Sequence, residues 1–498
     1  MKKDFIEIQP ILWPRAGICT EESLYFRRDT AKPAYIPGQD ALVFQENGTA
    51  SFDTYFNGFS YAKWKKYTAL PALALRLQTR GEFQVTLFGC QYRNGAVVSR
   101  VLTTLRLPPE AGESILEFRP DQDYLLCGFT LQALSDDVMF TGGSYGCLWE
   151  EEILPPVTIA LNICTYHRER FVRTTIHRLR REVWEKENSP LAGHLLGYVT
   201  DNGQTLTPQD LGGAPVRLLR QDSKGSAGGF ARGQLEILAD KEAYGTTHMV
   251  FMDDDISFDP QILLRTYWFL RFLREEYREY FLGGDLLRLH EPGSQVESGA
   301  QWAAGIVMRT KPDLDLRRLD HLLFHEIEEK VDYQGWWYCC VPLSKDMPFP
   351  LPVYFHRDDV DFGLRHKGFL FLNGIGVWHD EFENKPSSVT EYFDFRNRLI
   401  INALHCPGFG AKAAVLALVK ETLKRLLRYR YREAKLILEG AEDYCKGAEW
   451  ILSQDRVEQY ERLVQKGYHP QPLAACVEGF DLRDYEGNLR HLPLLPKR

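Results

Sequence analysis

Short runs of alternating apolar and polar residues, separated by turn residues, fill the chain up to about Pro155. Residues 83–88 and 124–131 are two such runs, and Arg93-Asn94-Gly95 is typical of the turns between them. Two-residue alternation is the period of a strand with one buried face. Recurring short strands predict an antiparallel β-sandwich over residues 1–153. Pro155-Pro156 predicts its end, because proline cannot continue a hydrogen-bonded strand ladder.

From residue 154 to residue 385, continuous apolar runs alternate with helical patterns. Residues 157–164, 195–199 and 248–252 have the length and apolar character of buried strands, whereas residues 170–188 and 234–244 have helical spacing. Strands that alternate with helices predict an α/β domain with a Rossmann-like, mainly parallel sheet. Ligands of such sheets bind at the carboxyl ends of the strands, so the polar residues that follow each run are candidates for chemistry.

After Pro386 the strand pattern stops, and residues 386–498 are predicted to form a C-terminal helical domain. Apolar residues at helical spacing predict one helix over residues 411–439 and a second over residues 450–466. The first is strongly basic, with Lys420, Lys424, Arg425, Arg428, Arg430, Arg432 and Lys435. Such a helix suits an anionic membrane surface, and it equally suits packing on the middle domain with a solvated basic face.

Composition narrows the class of protein but not its chemistry. With 44% hydrophobic and 26% charged residues, the 498-residue chain is typical of soluble multidomain proteins, and its net charge of -8 gives no general electrostatic reason to bind nucleic acid. Acidic residues interrupt the basic N-terminus, and no run approaches the ~20 apolar residues of a spanning helix. The ten cysteines lack metal-site spacing and are typical of reduced thiols, so we expect a cytoplasmic protein.

Three consecutive carboxylates, Asp253-Asp254-Asp255, directly follow the apolar run of residues 248–252. At the end of a buried strand they bring hard oxygen ligands to a rigid sheet edge, which suits Mg²⁺ or Mn²⁺ better than zinc. A cation there would in turn hold a diphosphate. The alternative is a solvated acidic turn that caps the following helix, for which Asp259-Pro260 is a plausible start.

Three further segments favour a nucleotide-sugar site. Residues 164–168 (Cys-Thr-Tyr-His-Arg) close the first strand of the middle domain and bring a hydroxyl and basic groups to the same edge. Residues 224–232 predict a glycine-rich loop that opens a helix and offers N–H groups to an anion, with a flexible connection as the alternative. Asp358-Asp359 offers a carboxylate to remove an acceptor proton, and His379 an imidazole for a mixed metal site, although a lone histidine is often structural.

In combination these motifs resemble the family 2 glycosyltransferases of GT-A fold. The similarity is closer still to the polymerising galactofuranosyltransferases of bacterial cell-wall galactan synthesis. Their N-terminal sandwich resembles residues 52–59 with Trp64, and their middle domain resembles residues 252–256, 335–337 and 378–382. The resemblance spans most of the chain and implies a GT-A domain between a β-sandwich and a helical region.

The resemblance implies roles for matching residues. Asp253, Asp255 and His379 would bind Mn²⁺ or Mg²⁺, and Asp359 would be the catalytic base beside Asp358. The donor-binding candidates are Arg168, Thr165, Gly228, Gly229, Asp254 and Glu297, and the acceptor-binding candidates are Trp336, Trp337 and Asp358. The sequence around Arg168 departs from the family's usual pattern, and Glu297 rests only on its spacing from Gly283-Gly284-Asp285. Aromatic faces can stack on sugar rings, but the two tryptophans equally suit a buried core.

The leading hypothesis is a metal-dependent inverting glycosyltransferase that transfers galactofuranose from UDP-galactofuranose to a hydroxyl of a growing, free or lipid-linked, cell-surface glycan. One alternative is a different UDP-sugar, since no motif identifies galactofuranose. The others are a catalytically inactive carbohydrate-binding scaffold and a glycoside hydrolase with two carboxylates. The lipid-linked acceptor implies peripheral contact with the inner face of the plasma membrane. The family also forms ring-like homo-oligomers, but no residue pattern here indicates that interface.

Overall fold

The computed structural model describes residues 4–29, 32–109, 112–149, 154–212, 215–303, 305–380 and 387–469. The chain divides into two compact units: residues 1–381 with 401–408, and residues 382–400 with 409–498. The predicted domain boundaries near residues 153 and 385 lie outside the described residues, as do Glu381 and Phe382 of the last motif. The three-domain division therefore stays a prediction.

Two antiparallel sheets and one helix form the N-terminal part of the first unit. The strands are β1 (Asp4–Pro10), β2 (Arg27–Arg28), β3 (Pro33–Ile36), β4 (Ala41–Phe44), β5 (Thr49–Ser51), β6 (Leu73–Arg80), β7 (Phe83–Arg93), β8 (Ala96–Leu107), β9 (Gly112–Phe118), β10 (Leu126–Ala133) and β11 (Val138–Trp149), and the helix is α1 (Tyr61–Tyr67). One sheet has the order β3-β4-β11-β6-β9, with β1 paired to β11, and the other has the order β2-β5-β10-β7-β8.

Aromatic side chains from the two sheets pack against each other. Phe83 of β7 meets Phe44 of β4 edge to face, with ring centroids 5.3 Å apart, and Phe129 of β10 meets Phe140 of β11 at 6.3 Å. Along β7 every second residue from Phe83 to Leu87 is buried and the residues between are half-buried. The two-residue period of the sequence therefore corresponds to one core-facing side of the strand.

A mixed eight-stranded sheet follows in the same unit. The strands of this part are β12 (Ile159–Thr165), β13 (Leu195–Asp201), β14 (Val216–Arg220), β15 (His248–Asp253), β16 (Phe281–Arg288), β17 (Gln295–Glu297), β18 (Ala300–Ala303), β19 (Ile306–Arg309), β20 (Cys339–Pro342) and β21 (Phe369–His379). The helices are α2 (Glu169–Leu179), α3 (Gly225–Tyr244), α4 (Gln261–Phe272), α5 (Leu319–Glu326) and α6 (Asp358–Leu364). The short strands β18 and β19 form a separate hairpin.

The large sheet is parallel on one side and mixed on the other. Strands β14, β13, β12 and β15 are parallel neighbours, whereas β20 runs antiparallel to both β15 and β16. The chain passes from β12 out to β13 and β14 and returns to β15 on the opposite side of β12. This reversal creates a crevice at the carboxyl ends of β12 and β15, where Cys164 is the register partner of Asp253.

The glycine-rich segment is helical, which corrects the predicted loop over residues 224–232. Helix α3 begins at Gly225, well before the predicted start near Gln234. Gly229 and Gly233 face β12, where a Cβ on either would overlap with the side chains of Cys164 and Asn162. Glycine is a poor helix former, but here the missing side chains let the helix pack closely on the strand, and this packing outweighs the propensity.

The second unit is helical. Its helices are α7 (Thr390–His405), whose last turn belongs to the first unit, α8 (Ala411–Leu426), α9 (Tyr431–Cys445), α10 (Ala448–Ser453) and α11 (Arg456–Lys466). The single helix predicted over residues 411–439 is wrong, because Tyr429 adopts a left-handed conformation (φ 58°) and separates α8 from α9. The helix predicted over residues 450–466 is likewise two helices. Among the described residues, no helix combines the length and apolar character needed to cross a bilayer.

Candidate active site

The ends of β15 and β21 bring Asp253, Asp255 and His379 together. Each offers one ligand atom, and the three atoms lie within 4.8 Å of one another. Nε2 of His379 is 3.3 Å from Oδ1 of Asp255. The loop after the aspartates is tied to β21 by two hydrogen bonds of 2.8 Å between the backbones of Ser257 and Trp378. This bridge explains how residues more than a hundred positions apart meet at one edge.

Burial destabilises the ionised forms of the carboxyl groups in this acidic cluster. Burial and, second to it, the neighbouring carboxylate of Asp255 raise the pKa of Asp253 to about 7. Burial also raises the pKa of Asp254 to about 6, against the opposing hydrogen bond from Thr165. Crowded, desolvated carboxylates are stabilised by a cation. Two carboxylates and one imidazole form a donor set that fits Mn²⁺ or Mg²⁺, so the residues suit the predicted cofactor.

Thr165 and Arg168 support the aspartates from the end of β12. Oγ1 of Thr165 donates a hydrogen bond of 2.6 Å to Oδ2 of Asp254. Nη1 of Arg168 is 3.2 Å from Oδ1 of Asp254 and 2.6 Å from Oδ2 of Asp255. The side chain of Arg168 remains 42% exposed. Both predicted donor-binding residues therefore lie against the acidic cluster, and Asp254 is held by both of them.

Gly228 and Gly229 occupy the first turns of α3. A Cβ on Gly229 would overlap with the Sγ of Cys164, and one on Gly228 would overlap with the side chain of Lys224. Gly225 has a positive φ of 73° and packs against the carbonyl of Tyr354. The structure thus gives Gly229 a packing role between α3 and β12, and binding of a donor by Gly228 or Gly229 stays a prediction.

Asp358 and Asp359 form the first turn of α6. They follow a loop in which Tyr354, His356 and Arg357 have positive φ values of 78°, 66° and 73°. Such conformations are unfavourable for residues with side chains and are concentrated at functional sites. Ser226 of α3 donates a hydrogen bond of 3.4 Å to Oδ2 of Asp358, which connects the pair to the glycine-rich helix.

The aspartate pair is also electrostatically coupled to its surroundings. Burial and, second to it, the charge of Asp359 raise the pKa of Asp358 to about 7. The pKa of Asp359 is raised by burial as well. Burial raises the pKa of the Cys164 thiol, and the charges of Asp254, Asp253 and Asp358 add to this effect. Cys164 is therefore within electrostatic range of both the acidic cluster and Asp358.

Glu297, a predicted donor-binding residue, lies at the end of β17 near the aspartate pair. Its Oε2 is 3.2 Å from Nε of Arg309. Burial raises the pKa of Glu297 to about 7, Arg309 opposes this shift, and Asp359 adds to it. The structure therefore brings this carboxyl group into the electrostatic range of Asp359.

Trp336 and Trp337 are buried, with exposed fractions of 6% and 8%. Trp336 stacks on Phe251 of β15 with ring centroids 4.4 Å apart, and Nε1 of Trp337 donates to the carbonyl of Gly284 at 3.1 Å. These contacts correspond to the core packing that the sequence left open as the alternative. An acceptor-binding role for the two rings stays a prediction.

Asn202, which the sequence did not single out, also belongs to this edge. It follows β13, and its Nδ2 donates to the carbonyl of Gly225 at 3.0 Å and approaches the Sγ of Cys164 at 3.3 Å. Gln221, after β14, donates to Oδ1 of Asn202 at 2.8 Å. The signal was available, because the apolar run of β13 ends in Asp201-Asn202 just as that of β15 ends in Asp253-Asp254.

Comparisons with known proteins find relatives over most of the chain. A family profile described as "Galactofuranosyltransferase 2 N-terminal" matches residues 8–117. The galactofuranosyltransferase GlfT2 of Mycobacterium tuberculosis (strain ATCC 25618 / H37Rv) is 28% identical over 489 residues, which covers 89% of this chain and 73% of that protein. GlfT2 of Mycolicibacterium smegmatis (strain ATCC 700084 / mc(2)155) is 26% identical over 488 residues, with 89% and 71% covered.

This chain is therefore a glycosyltransferase. Within that class it is a homologue of the galactofuranosyltransferases, and the resemblance found in the sequence is confirmed. Among solved structures, mannosyl-3-phosphoglycerate synthase from Rubrobacter xylanophilus is similar over 53% of this chain and 75% of that chain, at 12% identity and a TM-score of 0.29. A TM-score of this size carries no argument about fold or function.

Proposed function

We propose that this chain transfers galactofuranose from UDP-galactofuranose to a hydroxyl of a growing cell-surface glycan, with inversion at the anomeric carbon. The observation that carries the proposal is the convergence of Asp253, Asp255 and His379 within 4.8 Å at the crevice of the large sheet. A sheet crevice of this kind is where nucleotides bind in open α/β folds. The names of the two mycobacterial relatives supply the sugar.

Asp253, Asp255 and His379 would hold the Mn²⁺ or Mg²⁺ ion. When bound, such a cation supplies positive charge beside a departing diphosphate. Arg168 adds a permanent positive charge at the same edge, where its half-exposed side chain can be reached by a phosphate oxygen. Thr165 and Arg168 fix the orientation of Asp254, which would contact the donor.

Asp359 would be the general base. Its carboxylate accepts the proton of the acceptor hydroxyl while the hydroxyl oxygen bonds to the anomeric carbon, and the bond to the diphosphate breaks with its electron pair leaving on UDP. An α-linked donor then gives a β-linked product. Burial raises the pKa of Asp359, which makes its carboxylate a stronger base than a solvated aspartate. Asp358 and Glu297 would border the acceptor and the donor sugar, respectively.

An acceptor role for Trp336 and Trp337 has a structural condition. Both rings are buried, so stacking on a sugar requires the turn at Gly335 to expose one of them. We include this role in the proposal because, along the sequence, Gly335 lies between β16, which carries Asp285, and the loop that precedes Asp358.

We also propose the architecture of the family for this chain: a β-sandwich over residues 1–153, a GT-A domain over residues 154–385 and a helical domain over residues 386–498. Support comes from the aromatic contacts between the two N-terminal sheets, and from the four parallel strands with a reversal between β12 and β15.

Helix α8 would provide the peripheral membrane contact. It exposes four apolar side chains, with exposed fractions of 57% for Val415, 61% for Leu416, 48% for Val419 and 50% for Leu423. Lysines on the same helix add attraction to anionic lipids.

We expect flotation of the protein with anionic liposomes at low salt, and less flotation of the double variant Leu416→Ser with Leu423→Ser. Leu452→Ser, an exposed leucine on α10, is the control. Unchanged flotation would show that α8 is not the membrane contact. A homo-oligomer that the same double variant dissociates would show that α8 binds another copy of the chain.

The reaction itself has a direct test. Purified protein is incubated with UDP-galactofuranose, Mn²⁺ and a synthetic galactofuranosyl acceptor, and elongated product is measured by mass spectrometry. We expect product, and none after Asp255→Asn. Turnover of a different UDP-sugar without use of UDP-galactofuranose would reject the donor, and the absence of any nucleotide or metal binding would reject the proposed site.

A further inference from the structure

A dense basic stripe runs along α2 and the π-helical turn that follows it (Arg180–Trp184). Arg173, His177 and Arg181 are four residues apart, so they line one face of the helix, with Arg178 beside them. The opposite face buries the apolar residues of α2 in the core. A stripe of this composition is unusual in a chain whose net charge is -8.

The stripe forms one wall of a cavity of about 480 Å³, and the turn from Arg15 to Ile18 forms the other. Hydrogen bonds fix the two walls together. Nη2 of Arg178 donates to the carbonyl of Gly17 and its Nη1 to the carbonyl of Phe258, each at 2.9 Å. Nη1 of Arg15 is 2.7 Å from Oε2 of Glu182. The cavity is therefore built by long-range contacts and is not a chance depression between mobile side chains.

Positive charge exceeds negative charge in this cavity. Four guanidinium groups line it, those of Arg15, Arg173, Arg178 and Arg181. Only three carboxylates pair with them: Glu182 with both Arg15 and Arg181, Asp259 with Arg15, and Asp210 with Arg173. His177 adds a further charge when protonated. Burial lowers the pKa of Arg178; the carboxylates of Glu182 and Asp259 oppose this shift, whereas the nearby Arg15 and Arg181 add to it.

We infer that this cavity is a second anion-binding site that takes a phosphate-bearing small molecule, such as a diphosphate or a sugar phosphate. Planar guanidinium groups match the geometry of phosphate oxygens, and the volume falls within the range of about 300 to 1,000 Å³ of small-ligand pockets. Helical rise places Arg173 and Arg181 roughly 8 to 20 Å along α2 from Arg168. None of the residues that line the cavity belongs to the acidic cluster, so the inference does not depend on the proposed donor or acceptor.

Calorimetric titration of the full chain with inorganic pyrophosphate tests this inference. EDTA is present, so that binding through Mn²⁺ at the acidic cluster does not contribute. The test variant combines Arg173→Gln with Arg181→Gln, because both side chains are exposed and neither is a tie between the walls. Arg278→Gln, an exposed arginine paired with Glu275, is the matched control. Arg168→Gln reports residual binding at the proposed donor site.

We expect the wild type, Arg278→Gln and Arg168→Gln to bind pyrophosphate, and the double variant to bind at least about tenfold more weakly, as expected for the loss of charge-assisted contacts. Affinity should fall with added salt. Flotation with phosphatidylglycerol vesicles distinguishes the source of the phosphate group. If the wild type binds these vesicles but not pyrophosphate, and the double variant does not bind the vesicles, the ligand is a lipid headgroup. Equal affinity of wild type and double variant with intact circular dichroism, or loss only in Arg168→Gln, would overturn the inference.

Discussion

The carboxylates of the active site lie close together but have different partners. Asp254 and Asp255 contact Arg168, and Asp255 also contacts His379. Asp358 accepts a hydrogen bond from the hydroxyl of Ser226, and the charges of Arg357 and His356 oppose the effect of burial on the pKa of Asp359. The proposed metal ligands and the proposed base therefore have different neighbours, in line with the different roles proposed for them.

Replacing the proposed base should remove turnover without removing donor binding. We expect Asp359→Asn to lower kcat by about 10² to 10⁴, the usual contribution of a general base, because an amide cannot accept the proton. Binding of UDP with Mn²⁺, measured by calorimetry, should change little. Asp346→Asn, at an exposed aspartate of the same unit, is the control. Turnover close to that of the wild type would exclude Asp359 as the base.

The pH dependence of kcat/KM should also report on the pair of aspartates, Asp358 and Asp359. A base acts in its ionised form, and burial raises the pKa of Asp359, so the fall of kcat/KM with decreasing pH should begin at a higher pH than for a solvated aspartate. Adjacent carboxylates repel each other, so Asp358→Asn should move this acid limb to lower pH. Rates are measured at saturating Mn²⁺ so that protonation of the metal ligands is not limiting. An acid limb at the same pH in both proteins would contradict this assignment.

At the scale of single elements, the sequence predicted β12, β13 and β15 of the large sheet but not its other strands or the helix limits. The run before Asp253 predicted β15 and the carboxylates at its end, because a continuous apolar segment that stops at charged residues has few other solutions. The start of α3 was missed since it depends on the fit of Gly229 and Gly233 against β12, which the local sequence does not contain. The burial of Trp336 depends likewise on Phe251, a residue of another strand.

The close packing of α3 on β12 can be tested at Gly229. A Cβ there would overlap with Sγ of Cys164, so we expect Gly229→Ala to lower the free energy of unfolding by about 1–3 kcal/mol in urea denaturation. Adding Cys164→Ala should recover part of this loss, because it removes the overlapping sulfur. Gly408→Ala, where an added Cβ meets nothing within 4 Å, should change stability little. Equal stability of Gly229→Ala and the wild type would mean that α3 can move away without cost.

At the scale of the whole molecule, contacts between distant segments decide the site and lie beyond sequence patterns. The meeting of His379 with Asp255 was inferred from family resemblance, and the structure explains it through the bridge between Ser257 and Trp378. The contacts of the N-terminal part with the large-sheet part join residues far apart in the chain, which local patterns cannot pair. They include Arg265, fully buried in α4, which donates to the carbonyls of Phe56 and Gly374.

A buried hydrogen-bond network also joins these two parts of the first unit. The hydroxyl of Tyr55 donates to Oδ2 of Asp285 at 2.7 Å, while Ser298 and His325 contact the other carboxylate oxygen. Asp285 has no solvent exposure, so each donor that it loses leaves a desolvated charge less satisfied. One hydrophobic core extends from the first N-terminal strand to Trp378, so the N-terminal sheets and one side of the large sheet share it.

We therefore expect Tyr55→Phe to destabilise the first unit as a whole. Loss of one donor to a buried carboxylate should cost about 1–3 kcal/mol, because the ring stays packed and only the hydroxyl is removed. In differential scanning calorimetry the transition of the first unit should move to lower temperature as one peak, since the N-terminal sheets and the large sheet share a core. Tyr244→Phe, at an exposed tyrosine of α3, is the control and should leave the peak in place. If Tyr55→Phe instead split the peak, with only one part shifted, the N-terminal sheets and the large sheet would be separate folding units and the network would serve their docking alone.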